Sequence, residues 1–228
     1  MKKKIILVFA VVCFLACQSE KTKSEEKSES KQDSPKKELT ILDKVAEAYG
    51  YKNWSDVEQV NFTFVVNPGE NEMSRQWTWL PQTNKVTLTQ DNEMTTYDKS
   101  NVMEEFKKTD KAFVNDSFWL LFPFHLVWDD IEYEVEDAVV SPINQIETQK
   151  LIVKYPDQGG YTPGDRYEVY LYENYHILEW SYHPGGQEKP GLINTFEDLK
   201  DFNGIKINMT HNNPDSGFKL IFRNVSVN

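Results

Sequence analysis

The sequence predicts a mainly β domain of the α+β class: an incomplete antiparallel β-barrel or strongly curved sheet of about ten strands, with two or three helices over its concave face. Three observations predict it. Apolar residues alternate with polar ones over many short runs separated by Gly, Pro, Asn and Asp. A strongly apolar block, Phe118 to Trp128, sits mid-chain and demands burial. Strands and helices do not alternate as a parallel α/β sheet requires.

The chain begins with an address. Lys2, Lys3 and Lys4 precede an apolar run from Ile5 to Ala16, a secretory signal pattern too short for a routine membrane span. Residues 1–16 read as a lipoprotein signal peptide, because Phe14-Leu15-Ala16-Cys17 resembles a bacterial lipobox. That resemblance implies cleavage before Cys17 and its lipidation. Each buried methylene contributes ~0.8 kcal/mol, so several acyl chains would hold the protein at a membrane. Residues 17–38 read as the lipidated cysteine and a disordered Ser/Lys/Glu tether, with nothing to bury. Gln18, where Asp would resemble an inner-membrane retention signal, favours the outer membrane.

Residues 39–228 form the folded domain. The chain carries 25 basic and 36 acidic side chains, three of the basic ones in the leader and a balanced set in the tether, which leaves the domain at −14. That charge repels a phosphate backbone and excludes a nucleic-acid binder. With only Cys13 and Cys17, and Cys13 in the leader, a disulfide scaffold is excluded as well.

Within the domain, Ile41, Leu42, Val45 and Ala48 recur at helical spacing and Gly50 marks a stop. From Val60 the period becomes two, and strands are expected at 60–66, 74–80, 85–90 and 93–98 as a meander, with Arg75, Trp77 and Trp79 on one face. Asn115-Asp116-Ser117 is expected to cap a short helix over 118–122, stopped by Pro123, lying over the sheet or acting as a lid on a ligand cavity. Strands follow at 150–155, 166–172 and 176–183. Asn203-Gly204 predicts a tight hairpin between 196–202 and 205–211, and 218–227 is the last strand.

Catalytic and metal motifs are missing: there is no HExxH, no GxSxG and no glycine-rich phosphate loop, and nothing implies a cofactor. His125, His176, His183 and His211 show no metal-ligand spacing. A three-residue loop at 173–175 would place Asp165 opposite His183, Tyr167 opposite Ser181 and Arg166 opposite Tyr182. An Asp165–His183 pair could serve a hydrolase, or could cap the strand end with ordinary ion pairs. The turn Thr162-Pro163-Gly164-Asp165 is the segment best suited to a special site.

Aromatic side chains dominate. Trp77, Trp79, Phe118, Trp119, Phe122, Trp128, Tyr170, Trp180 and Tyr182, with Arg166 as a polar anchor, are the candidate ligand-binding residues. The alternative is that most of these rings belong to the core.

Three blocks carry a family resemblance: Phe118-Trp119-Leu120-Leu121-Phe122-Pro123-Phe124-His125-Leu126, Tyr161-Thr162-Pro163-Gly164-Asp165-Arg166-Tyr167, and Glu179-Trp180-Ser181-Tyr182. Together with Thr195-Phe196-Glu197-Asp198 and Asn203-Gly204-Ile205, they resemble a domain family of Bacteroidetes lipoproteins to which no activity is assigned. The order of elements is similar to Lol-type periplasmic lipoprotein carriers and receptors, a half-barrel with a helical lid over an apolar cavity. The expectation is a lipid-anchored, non-enzymatic cell-envelope protein, periplasmic or surface-facing, that binds a lipid or acyl chain. A module that docks to another envelope protein is the alternative, and the hydrolase the third.

Overall fold

The computed structural model describes residues 38–69 and 71–228; the signal peptide, Cys17 and all of the tether except Glu38 lie outside the described residues. Thr40 opens the first helix, α1 (Ile41–Ala48), with a capping box: its hydroxyl accepts from the Asp43 amide at 3.1 Å while the Asp43 carboxylate accepts from the Thr40 amide at 2.8 Å. Gly50, at φ 89°, ends it in the left-handed region.

Four strands then form the expected meander: β1 (Val60–Val66), β2 (Met73–Leu80), β3 (Lys85–Gln90) and β4 (Glu93–Asp98). Alternation puts Val60, Phe62 and Phe64 of β1 in the core. Asp91 and Asn92, both at positive φ, supply the two-residue turn between β3 and β4. After the central helix α2 (Lys107–Trp128) come β5 (Glu132–Val140), β6 (Glu147–Lys154), β7 (Arg166–Leu171), β8 (Ile177–His183) and β9 (Leu192–Thr195). The chain ends with β10 (Glu197–Phe202), β11 (Ile205–Asn213) and β12 (Phe218–Val227), where Asn203 and Gly204 turn the predicted hairpin.

The described residues hold twelve strands in two antiparallel sheets, ordered β10-β11-β12-β1-β2-β3-β4 and β5-β6-β7-β8-β9. The expected fold class stands: the protein is mainly β, and neither sheet closes. The two strands beyond expectation are β5, whose residues are exposed on both faces, and β9, only four residues long. Side chains stitch the sheets where β9 meets β11. Asn213 Nδ2 donates to the Ile193 carbonyl at 2.7 Å, and His211 Nδ1 lies 3.1 Å from the Thr195 carbonyl.

The central helix corrects the sequence expectation. It starts at Lys107 and passes through Pro123, so Asn115-Asp116-Ser117 lies inside it. Proline lacks the N–H that would bond one turn back and crowds that carbonyl. The strain is taken up at Leu121, which leaves helical geometry at φ −125°, ψ 27°. This kink lets one helix serve both sheets. Phe113 meets Trp77 and Trp79 of the first sheet at ring separations of 5.3 and 5.5 Å. Phe122 meets Tyr167 and Trp180 of the second at 5.8 and 4.8 Å.

The interior therefore holds the side chains of α2, the outcome expected of a helix lying over the sheet and not of a lid on a cavity. Opening α2 as a lid would expose Phe113, Phe122, Phe124 and Leu126, all essentially solvent-free, at about 1.5–3 kcal/mol each. The helix is a wall.

His211 gives the fold a pH signature. Burial pushes its pKa down to about 3, against the upward pull of its bond to Thr195. The unfolded chain takes up this proton near pH 6.5 and the folded chain does not, so stability is lost as pH falls from 6.5 towards 3. Urea midpoints should show about 2 kcal/mol lost between pH 6.5 and 5. His211→Gln should flatten that slope; an unchanged slope would show that another group carries it.

Candidate functional site

A cleft of about 830 Å³ opens between α2, the inner face of β7–β8 and the 155–165 loop. Its apolar walls are Phe118, Trp119 and Trp128 from the helix, Tyr155 from the start of the loop, and Tyr167 and Trp180 from the second sheet. The three from the helix are partly buried residues at the edge of the core, Phe118 and Trp119 before the kink at Leu121 and Trp128 on the last turn after it. Phe118 is the hub, its ring 5.4 Å from Tyr167, 6.1 Å from Tyr155 and 6.1 Å from Trp180. Tyr167 in turn stacks on Tyr182 at 5.1 Å.

Three polar points on the rim are each built from a tyrosine and an aspartate. Tyr161 donates to Asp110 at 2.7 Å, and Tyr97 donates to the other carboxylate oxygen at 2.9 Å. Tyr155 donates to Asp129 at 2.8 Å, with His125 Nδ1 2.9 Å from the same oxygen. Tyr182 donates to Asp165 at 2.9 Å, and the Gly185 amide donates to it at 2.8 Å. Burial draws the Asp129 pKa upward, but the bonds from His125 and Tyr155 and the Lys99 charge outweigh it and hold the group below the usual range. Burial and the bond to Asp165 push the Tyr182 hydroxyl up to about 12, so the phenol stays the donor at neutral pH.

Five of the ten sequence-selected residues line this cleft: Phe118, Trp119, Trp128, Trp180 and Tyr182. Trp79 and Trp128 line an adjoining recess of about 300 Å³. Trp77 and Phe122 are core residues with no exposed surface. Arg166 and Tyr170 lie elsewhere, and the reason is a single residue of register. The turn does pair Leu171 with Ile177, as the three-residue loop required, but a β-bulge follows at once. Beyond it Arg166 faces His183, Tyr167 faces Tyr182 and Tyr170 faces Glu179. A one-residue shift moves every later side chain to the opposite face.

The shift removes the Asp165–His183 pair. Asp165 turns with Tyr182 towards the cleft, while His183 turns with Arg166 to the far face of the sheet. There His183 Nδ1 lies 2.9 Å from both an Arg166 guanidinium nitrogen and the Gln187 carbonyl oxygen. On the same far face Glu179 is fully buried and accepts from the Ile143 and Asn144 amides at 3.1 and 3.3 Å. Glu179 thus pins the 141–146 segment to the sheet, and Arg166 and His183 hold the chain at Gln187. A further hollow of about 1000 Å³ by the β7–β8 turn is larger, but it is an open surface trough lined mainly by polar residues. The aromatic cleft is the better-formed site.

No protein-family model and no curated protein matches the chain. Solved structures do. A LolA superfamily protein, NE2245 from Nitrosomonas europaea, matches at TM-score 0.47 and 12% identity, over 82% of this chain and 92% of that one. A DUF1329 family protein from Desulfovibrio piger matches at TM-score 0.45 and 12% identity, over 82% of this chain and 92% of that one.

Sequence reasoning missed Asp110 and Asp129 as rim groups of the cleft and Asp116 as the residue that ties α2 to the first sheet. Asp110 and Asp116 sit in a stretch that reads as polar linker and cap until the helix is seen to begin at Lys107. The available signal was acidic residues at 110 and 116 followed by the apolar block, an amphipathic pattern interrupted by charge.

Proposed function

We propose that this is a non-enzymatic cell-envelope protein, anchored through lipidated Cys17, that holds the apolar part of an amphipathic ligand in the cleft beside α2. The aromatic cleft carries the reading. Its volume falls in the range of small-molecule sites, and its walls are rings with a few polar groups at the rim. The five sequence-selected residues that line it would contact the ligand chain, and binding would require only that the 155–165 loop move aside.

That loop is suited to moving. Gly159 and Gly160 adopt positive φ, and Tyr161, 41% exposed, ties the loop to α2 through its bond to Asp110. Native mass spectrometry of protein extracted without delipidation is expected to show a bound amphiphile. Trp119→Ala, which opens the wall, should lower its occupancy about tenfold, the loss of one buried aromatic contact. An extracted wild-type protein that carries nothing and binds no alkyl probe would end the proposal.

A further inference from the structure

Asp110 and Asp165 are 5% and 6% exposed, and both line the aromatic cleft. Among the described residues neither makes an ion pair; their partners are phenols and a backbone amide. Buried carboxylates ordinarily sit beside a cation, because hydrogen bonds alone recover only part of the lost hydration. Asp129 and Asp130 add two more carboxylates to the same walls, against Lys99 and Lys111. The rings between them present π faces, the other surface that attracts a cation.

A second feature points to a ligand. Trp180 is 1% exposed and lines the cleft, yet its indole N–H has no partner among the described residues. A buried donor left open in an otherwise satisfied site is a place for a ligand acceptor. The domain as a whole, at −14, favours approach of a cation over an anion.

Building on the cleft reading above, we infer that the ligand is a cationic amphiphile: an ammonium head between Asp110 and Asp165, an apolar tail along Phe118 and Trp119, and an oxygen acceptor for Trp180. This selects against fatty acids and anionic lipid heads. Arg166, the basic anchor that the sequence offered, faces the other side of the sheet, and the two lysines on the cleft walls, Lys99 and Lys111, stand against four aspartates.

The test uses the full chain carrying Cys17→Ser, which keeps it off the membrane. Three probes with the same tail, dodecyltrimethylammonium, dodecanoate and uncharged dodecyl maltoside, are titrated below their micellar concentrations by calorimetry and tryptophan fluorescence. The ammonium probe is expected to bind about tenfold more tightly than dodecanoate, and the gap should narrow with added salt. Asp165→Asn and Asp110→Asn should each shrink that preference, read within each variant as the ratio of ammonium to maltoside affinity, so that any change in loop opening common to all probes cancels. Asp215→Asn, the same charge change in an exposed turn, should not shrink it. Equal affinities, a preference for dodecanoate, or a preference that survives in folded Asp110→Asn and Asp165→Asn would overturn the head-group inference while the cleft reading stands. Failure of all three probes to bind would end both.

Discussion

Replacing Asp116 with alanine is expected to destabilise the domain by about 3–5 kcal/mol, the range for breaking one side of a buried ion pair. Asp116 has no exposed surface and is the point where α2 is locked to the first sheet. Its two oxygens accept from Arg75 at 2.7 and 2.6 Å in a bidentate grip, and one also accepts from the Trp77 indole at 2.8 Å. Arg75 is itself positioned over the Phe64 ring, 5.2 Å from its centroid. Alanine would leave a guanidinium that is only partly exposed and a solvent-free indole N–H without partners. It would also remove the contact that fixes how far α2 slides along Trp77, while Phe113, one turn earlier, supplies only non-directional packing.

Three measurements separate the terms. Asp116→Asn keeps an acceptor and loses the charge, so it should cost less than alanine. Arg75→Met paired with Asp116→Leu should recover part of the loss, because removing both charges also removes the cost of burying them. Chemical denaturation gives each value. A loss below about 1 kcal/mol for Asp116→Ala would mean that ring packing alone holds the helix.

The parts of the fold that were legible in the sequence are those set by local chemistry. Period-two alternation from Val60 and the Asp91-Asn92 and Asn203-Gly204 turns depend on neighbouring residues, and the strands at 85–90, 93–98 and 218–227 appear with the expected bounds. The rest depends on partners far along the chain. The bulge beyond Ile177 cannot be read from a hairpin sequence that fits a three-residue loop equally well, yet it decides which of Arg166 and Asp165 faces the cleft. Pro123 is an ordinary helix stop by propensity, and two sheets overrule it by burying the residues on either side. The aromatic content made part of the candidate site visible: five of the ten selected residues line the cleft. The aspartate–tyrosine pairs were not visible, since Tyr161 and Asp110 are separated by 51 positions and meet only in the fold.

Gly50→Ala is expected to cost about 3 kcal/mol or more, and the geometry says where each part arises. Gly50 holds φ at 89°, a conformation that charges a side chain about 1 kcal/mol. The larger part is steric. A Cβ at this position would sit 1.8 Å from the Gly204 carbonyl oxygen and 3.0 Å from its carbon, so backbone would have to move. That backbone is held: Asn53 Nδ2 donates to the Gly204 carbonyl at 3.0 Å and the Lys206 amide to the Tyr49 carbonyl at 2.9 Å. Relieving the clash means loosening both bonds, at about 1 kcal/mol each, and with them the contact between the end of α1 and the β10–β11 turn. Gly204→Ala supplies the control. It too has positive φ, at 85°, but its added Cβ would meet the tip of the Asn53 side chain, which can swing away at the loss of its one bond to the Gly204 carbonyl while the backbone stays in place. The two substitutions share the conformational cost and differ in what must yield. Gly50→Ala should therefore lower the denaturation midpoint clearly more than Gly204→Ala. Equal losses would mean that positive φ, and not the approach of α1 to the turn, sets the cost.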